Sequence, residues 1–92
     1  MEPTPLRETV LVYSTTWCPA CIDARRALRQ LRIPFEEIDI EEVDGAAQKM
    51  RSLNGGWDKV PTVIVGNVVL VEPSDKELAL ALNTVRDEDQ SR

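Results

Sequence analysis

The chain has 92 residues, a formal net charge of -5 and no histidine. This length supports a single domain with one modest core, and the acidic balance disfavours nucleic-acid binding through a basic surface. The missing histidine excludes a Cys-His hydrolase arrangement and the commonest metal ligand. No apolar run reaches the length of about 18 residues that a membrane span needs, so no membrane partner is expected. The first seven residues lack the pattern of a secretory signal, and we expect a cytoplasmic protein.

The hydrophobic pattern predicts an α/β domain with the element order βαβαββα. It divides the chain into a proline-punctuated lead-in (residues 1–8), the domain (9–86) and a polar tail (87–92). Strands are predicted over residues 9–14, 35–40, 62–65 and 68–71, and helices over 19–32, 44–53 and 75–85. The nearly continuous apolar run in the first strand is typical of a strand buried on both faces.

Turn and cap signals fix how these elements connect. Gly66-Asn67 is a candidate two-residue turn, so the last two strands form an antiparallel hairpin. The first strand-helix-strand unit has parallel strands, which gives a four-stranded mixed sheet with helices on its faces. Ser74 and Glu77 form a capping box at the start of the last helix.

Helical periodicity predicts which side chains face the core. The charged face of the first helix is interpreted as solvated surface, and Ile22 lies off the apolar stripe, either exposed or covered by another helix. The predicted inward residues are Ala20, Ala24, Ala27, Leu28 and Leu31 in the first helix, Ala46 or Ala47, Met50 and Leu53 in the second, and Leu78, Leu82 and Val85 in the third; the solvated face carries Arg25, Arg29 and Arg32.

The only two cysteines, Cys18 and Cys21, lie where the first strand gives way to the first helix. Unpaired N–H groups and the helix dipole at that terminus favour a thiolate on Cys18, which makes it the candidate nucleophile. Cys21 lies one turn further in and is the candidate resolving thiol. Pro19 suits the first helical turn because it has no N–H to leave unsatisfied. In a cytoplasmic chain we interpret this pair as redox-catalytic rather than structural or metal-bridging.

These motifs resemble the glutaredoxin family, which has a thioredoxin-like fold. The segments that carry the resemblance are Trp17-Cys18-Pro19-Ala20-Cys21 after the first strand and Val60-Pro61-Thr62 before the third. The sequence is most similar to the mycoredoxins, glutaredoxin-like proteins of mycothiol-producing bacteria, through Thr15-Thr16-Trp17-Cys18, Asn54-Gly55-Gly56 followed by Val60-Pro61-Thr62-Val63, and Pro73-Ser74.

The resemblance implies a thiol-disulfide oxidoreductase that reduces mixed disulfides between proteins and a low-molecular-weight thiol. It implies that Cys18 is the nucleophile, that Cys21 resolves, and that Pro61 follows a cis peptide bond. The bend at Pro61 is expected to leave the Val60 N–H and C=O facing outward, free to pair with a bound thiol or peptide. No bound cofactor or metal is expected.

Two departures from the glutathione-binding pattern bear on the co-substrate. Thr15-Thr16 and Glu72-Pro73-Ser74-Asp75 stand where family members hold the glutathione carboxylates, so mycothiol rather than glutathione is the expected thiol. The remaining candidates for binding the substrate or the thiol are Trp17, Pro19, Lys59, Val60, Pro61, Ser74 and Asp75.

Several alternatives stay open from the sequence. Trp17 forms either an aromatic wall beside the sulfur or ordinary packing at a strand end, and Trp57 either lines a groove or covers a helix end. Lys59 either meets a co-substrate or is only solvated. The chain could instead be a redoxin that is reduced by thioredoxin reductase and supplies electrons to ribonucleotide reductase, an iron-sulfur carrier, or a binding module without catalysis. The expected partners are S-thiolated or disulfide-containing proteins, and a monomer is expected.

Overall fold

A computed structural model of the chain describes the backbone of residues 10–90 and the side chains of residues 10–83. The observed element order is the predicted one. The strands are β1 (Val10–Ser14), β2 (Phe35–Asp39), β3 (Thr62–Val65) and β4 (Val68–Val71), and the helices are α1 (Pro19–Gln30), α2 (Ala46–Asn54) and α3 (Asp75–Gln90). The predicted lead-in, residues 1–8, lies outside the described residues.

The four strands form one mixed sheet in the order β2-β1-β3-β4, which confirms the predicted fold class. β1 and β2 are parallel, whereas β1 with β3 and β3 with β4 are antiparallel. Gly66 has φ +60°, a conformation that glycine adopts at no steric cost, and this allows the predicted two-residue turn between β3 and β4.

Helices cover both faces of the sheet, and β1 is buried on each side as predicted. Because side chains alternate along a strand, Val10 and Val12 join one cluster and Tyr13 joins the other. The buried members of the first cluster come from α1, α3 and the central strands: Val10, Val12, Ala24, Ala27, Leu28, Ile33, Val63, Val65, Leu78 and Leu82. The second cluster centres on Tyr13, Ala46 and Met50, so α2 covers the opposite face.

The end of α1 differs from the predicted end at residue 32. Arg32 has φ +58°, the Arg32 N–H donates to the Arg29 carbonyl, and the Ile33 N–H donates to the Leu28 carbonyl, each with a donor-acceptor distance of 3.0 Å. These bonds form a Schellman motif, in which a left-handed residue closes the helix and an apolar residue beyond it packs back. Ile33 is buried and joins the cluster that contains Leu28.

The predicted apolar face of α1 contains two errors, one at each end of the helix. Leu31 is 36% exposed because Ile33 occupies the position under the helix end. Ala20 is also exposed, and Cys21 is the first buried residue of the helix. The observed face therefore runs through Cys21, Ala24, Ala27 and Leu28, shifted from the predicted one. Ile22 is exposed, which resolves the alternative left open for it.

The boundaries of the other two helices also move. α2 begins at Ala46 rather than residue 44 because Gly45, with φ +79°, is not helical. Its predicted inward residues Ala46 and Met50 are buried, and Leu53 is half-buried. α3 continues to Gln90, past the predicted end at residue 85, since the polar sequence there contains no glycine or proline to stop a helix. The inward prediction for Val85 falls on a side chain outside the described residues.

Within residues 10–90, no helix has the length and apolar character needed to span a membrane.

Candidate active site

One edge of the sheet brings the predicted site residues together. The parallel strands β1 and β2 both end there, since Ser14 pairs with Asp39. β3 runs the other way and begins at the same edge, and β4 ends beside it, where Thr62 pairs with Val71. The segment with the two cysteines, the turn at Pro61 and the start of α3 therefore meet at one place.

Cys18 occupies the N-cap of α1, as predicted, and Pro19 is the first helical residue. The Cys21 N–H donates to the Cys18 Sγ over 3.3 Å, and the Cys18 thiol in turn approaches the Val60 carbonyl oxygen at 3.8 Å. Cys18 is buried, with 6% of the residue's surface exposed to solvent. A helix-terminal N–H aimed at this sulfur stabilises negative charge there.

Cys21 lies beneath Cys18 and is fully buried, with no exposed surface. Burial raises the pKa of the Cys21 thiol, and its hydrogen bond with Cys18 raises that pKa further, whereas the nearby Arg25 guanidinium lowers it. Both cysteines are free thiols in this structure. The pair is therefore asymmetric: Cys18 keeps 6% of its surface exposed and accepts a hydrogen bond from the Cys21 N–H, whereas Cys21 has no exposed surface and stays protonated at neutral pH.

This asymmetry predicts how the stability of the reduced protein depends on pH. Because the Cys21 pKa is raised on folding, its stabilising contribution is complete below the unfolded thiol value of about 8.5 and is lost as the pH rises toward the folded value. We expect the loss to approach about 1 kcal/mol per pH unit above pH 9. Urea unfolding of the reduced protein at pH 7 to 10 measures it, and the Cys21→Ser variant should show a shallower decline. Parallel declines in the two proteins would contradict this assignment.

The Val60-Pro61 peptide bond is cis, as expected from the resemblance. The Val60 N–H makes no hydrogen bond to any residue in the described range, which agrees with an outward-facing donor. The Val60 carbonyl was expected to be free to pair with a bound thiol or peptide, but the Cys18 thiol already approaches it. A thiolate has no proton to donate, so this carbonyl becomes available when Cys18 ionises. The Pro61 carbonyl accepts a 2.8 Å bond from the Glu72 N–H, which ties the turn to the segment before α3.

The loop before Pro61 is held by Asn54, a residue that the sequence analysis treated only as part of a helix stop. Its Oδ1 accepts from the Trp57 N–H at 2.8 Å, and its Nδ2 donates to the Trp57 carbonyl at 2.9 Å. The same Nδ2 donates to Thr62 Oγ1 at 3.2 Å, and that hydroxyl donates to the Lys59 carbonyl at 2.8 Å. An asparagine at a helix end that bonds to the backbone beyond it is a local signal available from sequence.

Trp17, Trp57 and Lys59 are all exposed near the site. The Trp17 side chain is 66% exposed and its Nε1 donates to the Glu41 carboxylate at 2.9 Å, so it does not simply pack at the strand end. The Trp57 backbone forms hydrogen bonds with the Asn54 side chain, and the Trp57 residue is 57% exposed to solvent. Among the described side chains, Lys59 has no ion-pair partner.

The predicted capping box at the start of α3 is confirmed. Ser74 Oγ accepts from the Glu77 N–H at 3.1 Å, and the Ser74 N–H donates to the Glu77 carboxylate at 3.0 Å. Asp75, the first residue of α3, is exposed beside them. Two carboxylates thus already occupy the positive end of this helix, which disfavours an additional anion there.

A second polar cluster was missed because it joins residues distant in the sequence. The Glu37 carboxylate on β2 accepts from the buried Ser14 hydroxyl at 2.8 Å and also binds the Arg25 guanidinium. Arg25 is half-buried, so the interpretation of its helix face as solvated is wrong at this position. Arg29 is exposed, as interpreted, and its guanidinium carbon also lies 5.9 Å from the centre of the Phe35 ring. The local sequence pattern predicts none of these contacts.

Comparison with known proteins agrees with this geometry. The family model described as Glutaredoxin matches residues 10–70. The protein named "Putative glutaredoxin Rv3198A" from Mycobacterium tuberculosis is 39% identical over 72 residues, which cover 77% of this chain and 86% of that protein. A glutaredoxin from Pseudomonas aeruginosa is 34% identical over 59 residues, or 62% of this chain and 67% of the relative.

Solved structures give the same result for the fold. The crystal structure of a glutaredoxin from Archaeoglobus fulgidus superposes with a TM-score of 0.74 at 25% identity, over 83% of this chain and 87% of that one. Glutaredoxin C1 from Populus tremula x tremuloides superposes with a TM-score of 0.65 at 21% identity, over 87% and 88% of the two chains. The chain therefore belongs to the glutaredoxin family and is a glutaredoxin-like thiol oxidoreductase.

Proposed function

We propose that this protein is of the mycoredoxin type and reduces mixed disulfides between proteins and mycothiol. The observation that carries the proposal is the asymmetry of the thiol pair: Cys18 keeps a small exposed fraction of 6% with the Cys21 N–H 3.3 Å from its sulfur, whereas Cys21 has no exposed surface. An attacking thiol needs access and a stabilised thiolate, and a resolving thiol needs only to reach its neighbour.

The reaction proceeds by two exchanges. The Cys18 thiolate attacks the mycothiol sulfur of the mixed disulfide, the old S–S bond breaks, and the substrate protein leaves as a thiolate that takes a proton from water. Cys18 then carries mycothiol in a new disulfide. A second mycothiol thiolate attacks the bound mycothiol sulfur, which releases oxidised mycothiol and regenerates the Cys18 thiolate.

Cys21 offers the alternative second exchange. Once deprotonated, its sulfur attacks the Cys18 sulfur, releases mycothiol and leaves a Cys18–Cys21 disulfide. Two further thiols, or a reductase that donates two electrons, restore the dithiol. The raised pKa of the buried Cys21 thiol in the reduced pair disfavours its thiolate at neutral pH, whereas discharge by a free thiol does not require Cys21.

The charges around the site favour an uncharged, hydroxyl-rich thiol over glutathione, which carries two carboxylates. Asp75 and Glu77 lie at the start of α3 with Lys76 between them, and Glu72 precedes the helix, so this segment carries three carboxylates and one ammonium group. The exposed threonine before the cysteine motif, Thr16, offers a hydroxyl but no positive charge. In this part of the described structure Lys59 is the one cation adjoining the Val60-Pro61 turn. A sugar-based thiol can use the hydroxyl and backbone groups without bringing carboxylates to an acidic helix end.

Intact-protein mass spectrometry of the Cys21→Ser variant tests this proposal. The variant is offered equal concentrations of the mycothiol and glutathione symmetrical disulfides, and the adduct on Cys18 is weighed over time. We expect mycothiol to add preferentially, by about tenfold or more, since one unfavourable carboxylate contact of about 1.4 kcal/mol gives a factor of ten. The Cys18→Ser variant serves as the control that takes no adduct.

Equal addition of the two thiols would contradict the mycothiol assignment. So would a wild-type protein that is reduced directly by thioredoxin reductase and NADPH while neither small thiol adds to Cys18.

A further inference from the structure

An exposed acidic surface lies beside the cysteine motif, on the β2 side of β1. We call it the acidic surface and define it by six residues on two neighbouring segments: Trp17, Asp39, Glu41, Glu42, Val43 and Asp44. The Val60-Pro61 turn and Lys59 lie on the other side of β1, because β3 is its opposite neighbour in the sheet. Cys18 therefore lies between the acidic surface and the Val60-Pro61 turn.

Hydrogen bonds hold the acidic surface in place next to the end of β1. The Ile40 N–H donates to the Ser14 carbonyl at 3.0 Å, which continues the pairing of β1 and β2 past the strand end. The Glu41 N–H donates to Asp39 Oδ1 at 2.8 Å, and the Glu41 carboxylate accepts from the Trp17 indole. The acidic loop is thus attached to the residue that immediately precedes Cys18.

The charge of this surface is uncompensated. No lysine or arginine occurs from residue 33 to residue 48. Within the side chains that the structure describes, none of the four carboxylates of the acidic surface forms an ion pair. The nearby guanidinium of Arg25 is already bound by Glu37, which lies outside this surface. Four carboxylates close together create a negative potential that attracts a cationic partner.

The acidic surface also exposes apolar area. Trp17 is 66% exposed and Val43 is 50% exposed. An open indole face beside carboxylates suits an arginine or lysine side chain, whose apolar stem covers the ring while its charged end meets the carboxylates. A neutral or acidic segment gains neither contact.

We propose that the acidic surface binds basic segments that flank the disulfide-bonded cysteine of protein substrates. This inference rests on the proposed function and names its substrate class. The two halves of a mixed disulfide then lie on opposite sides of Cys18, with the protein half over the acidic surface and the small-thiol half at the Val60-Pro61 turn.

Single-turnover kinetics with two synthetic peptides test the proposal. Both peptides contain one cysteine in a mixed disulfide with 2-mercaptoethanol, an uncharged thiol, and they differ only in carrying lysine and arginine or glutamate and aspartate around it. Release of the peptide thiol by reduced wild-type protein is followed at low and high salt. We expect the basic peptide to react about three- to tenfold faster at low salt, with the difference shrinking as salt screens the charges.

Two matched charge reversals locate the effect. Glu42→Lys should lower the ratio of basic to acidic peptide rates to about one or below, because it reverses a charge within the acidic surface. Glu36→Lys changes the net charge equally, but Glu36 pairs with Leu11 near the start of the edge strand β2, at the opposite end of that strand from Asp39, and should leave the ratio unchanged. A ratio of one in the wild type, or the same fall in both variants, overturns the proposal.

Hydroxyethyl disulfide separates this inference from the proposed function. If wild-type protein reduces it but shows no preference between the peptides, only the acidic-surface proposal is wrong. If the reduced protein leaves hydroxyethyl disulfide and both peptides intact, the proposed function fails and the acidic-surface proposal fails with it.

Discussion

Replacing Cys18 with serine should abolish turnover of every disulfide substrate, with a loss of about a thousandfold or more. Cys18 is the thiol of the pair that keeps some exposed surface, and the Cys21 N–H and the start of α1 stabilise its negative charge. A serine hydroxyl ionises far less readily than a thiol and cannot form the sulfur-sulfur bond of the intermediate. Cys21, buried beneath it, has no access to an external disulfide.

The matched Cys21→Ser variant should behave differently. It should retain reduction of mixed disulfides with a small thiol to within about tenfold of wild type, because discharge of the Cys18 adduct by a free thiol needs no second cysteine. It should also accumulate the adduct when the free thiol is limiting. Serine differs from cysteine by one atom, so both variants keep the shape of the site.

Steady-state reduction of a mixed disulfide, with intact mass at each time point, measures both variants. Circular dichroism and urea unfolding of each variant exclude loss of the fold as the cause. Retention of activity by Cys18→Ser with loss in Cys21→Ser would mean that the two roles are reversed. Equal loss in both would mean that the intramolecular disulfide is an obligatory intermediate.

How far the sequence predicts this site depends on whether the relevant signal is local. The helix N-cap at Cys18, the hairpin turn at Gly66 and the capping box at Ser74 each follow from a few adjacent residues, and the structure contains all three. Even the meeting of the cysteines with the Pro61 turn follows from strand direction, since parallel and antiparallel pairing together determine which loops share an edge.

Two side-chain contacts that the sequence did not predict join segments far apart in the chain. The bond from Trp17 to Glu41 spans 24 positions and that from Ser14 to Glu37 spans 23. Neither residue of such a pair carries a pattern that identifies the other, because register between β1 and β2 and the path of the following loop decide which side chains meet. The acidic surface depends on such a contact and so appears only in the folded chain.

Helix α1 illustrates a different limit of periodicity. The predicted apolar stripe included Leu31 because it continues the spacing of Ala24, Ala27 and Leu28. The Schellman closure ends the helix one residue earlier and brings in Ile33 to cover that end of the core. Two leucines three positions apart, one within the helix and the other at its C-cap, thus have different environments, the first with no exposed surface and the second 36% exposed.

Replacing Leu28 with alanine should therefore lower the free energy of unfolding by about 2–5 kcal/mol, the range for a buried leucine that leaves a cavity. Leu28 lies on the inner face of α1 within the cluster that also contains Val12, Val63 and Leu78, so its side chain joins the helix to the sheet and to α3. Since a domain of this size has about 5–15 kcal/mol of stability in total, the variant should lose a large part of it.

The matched variant Leu31→Ala makes the same chemical change at a residue that is 36% exposed, and should lower stability by no more than about 1 kcal/mol. Urea unfolding of both reduced variants at pH 7, followed by far-ultraviolet circular dichroism, measures the difference. Comparable losses in the two variants would contradict the observed helix end, because they would require Leu31 to pack into the core as the periodic pattern predicts. A large loss confined to Leu28→Ala would instead support the observed packing, in which the inner face of α1 contacts the core and Leu31 does not. In that packing Ile33, which follows the helix, covers the end of the core.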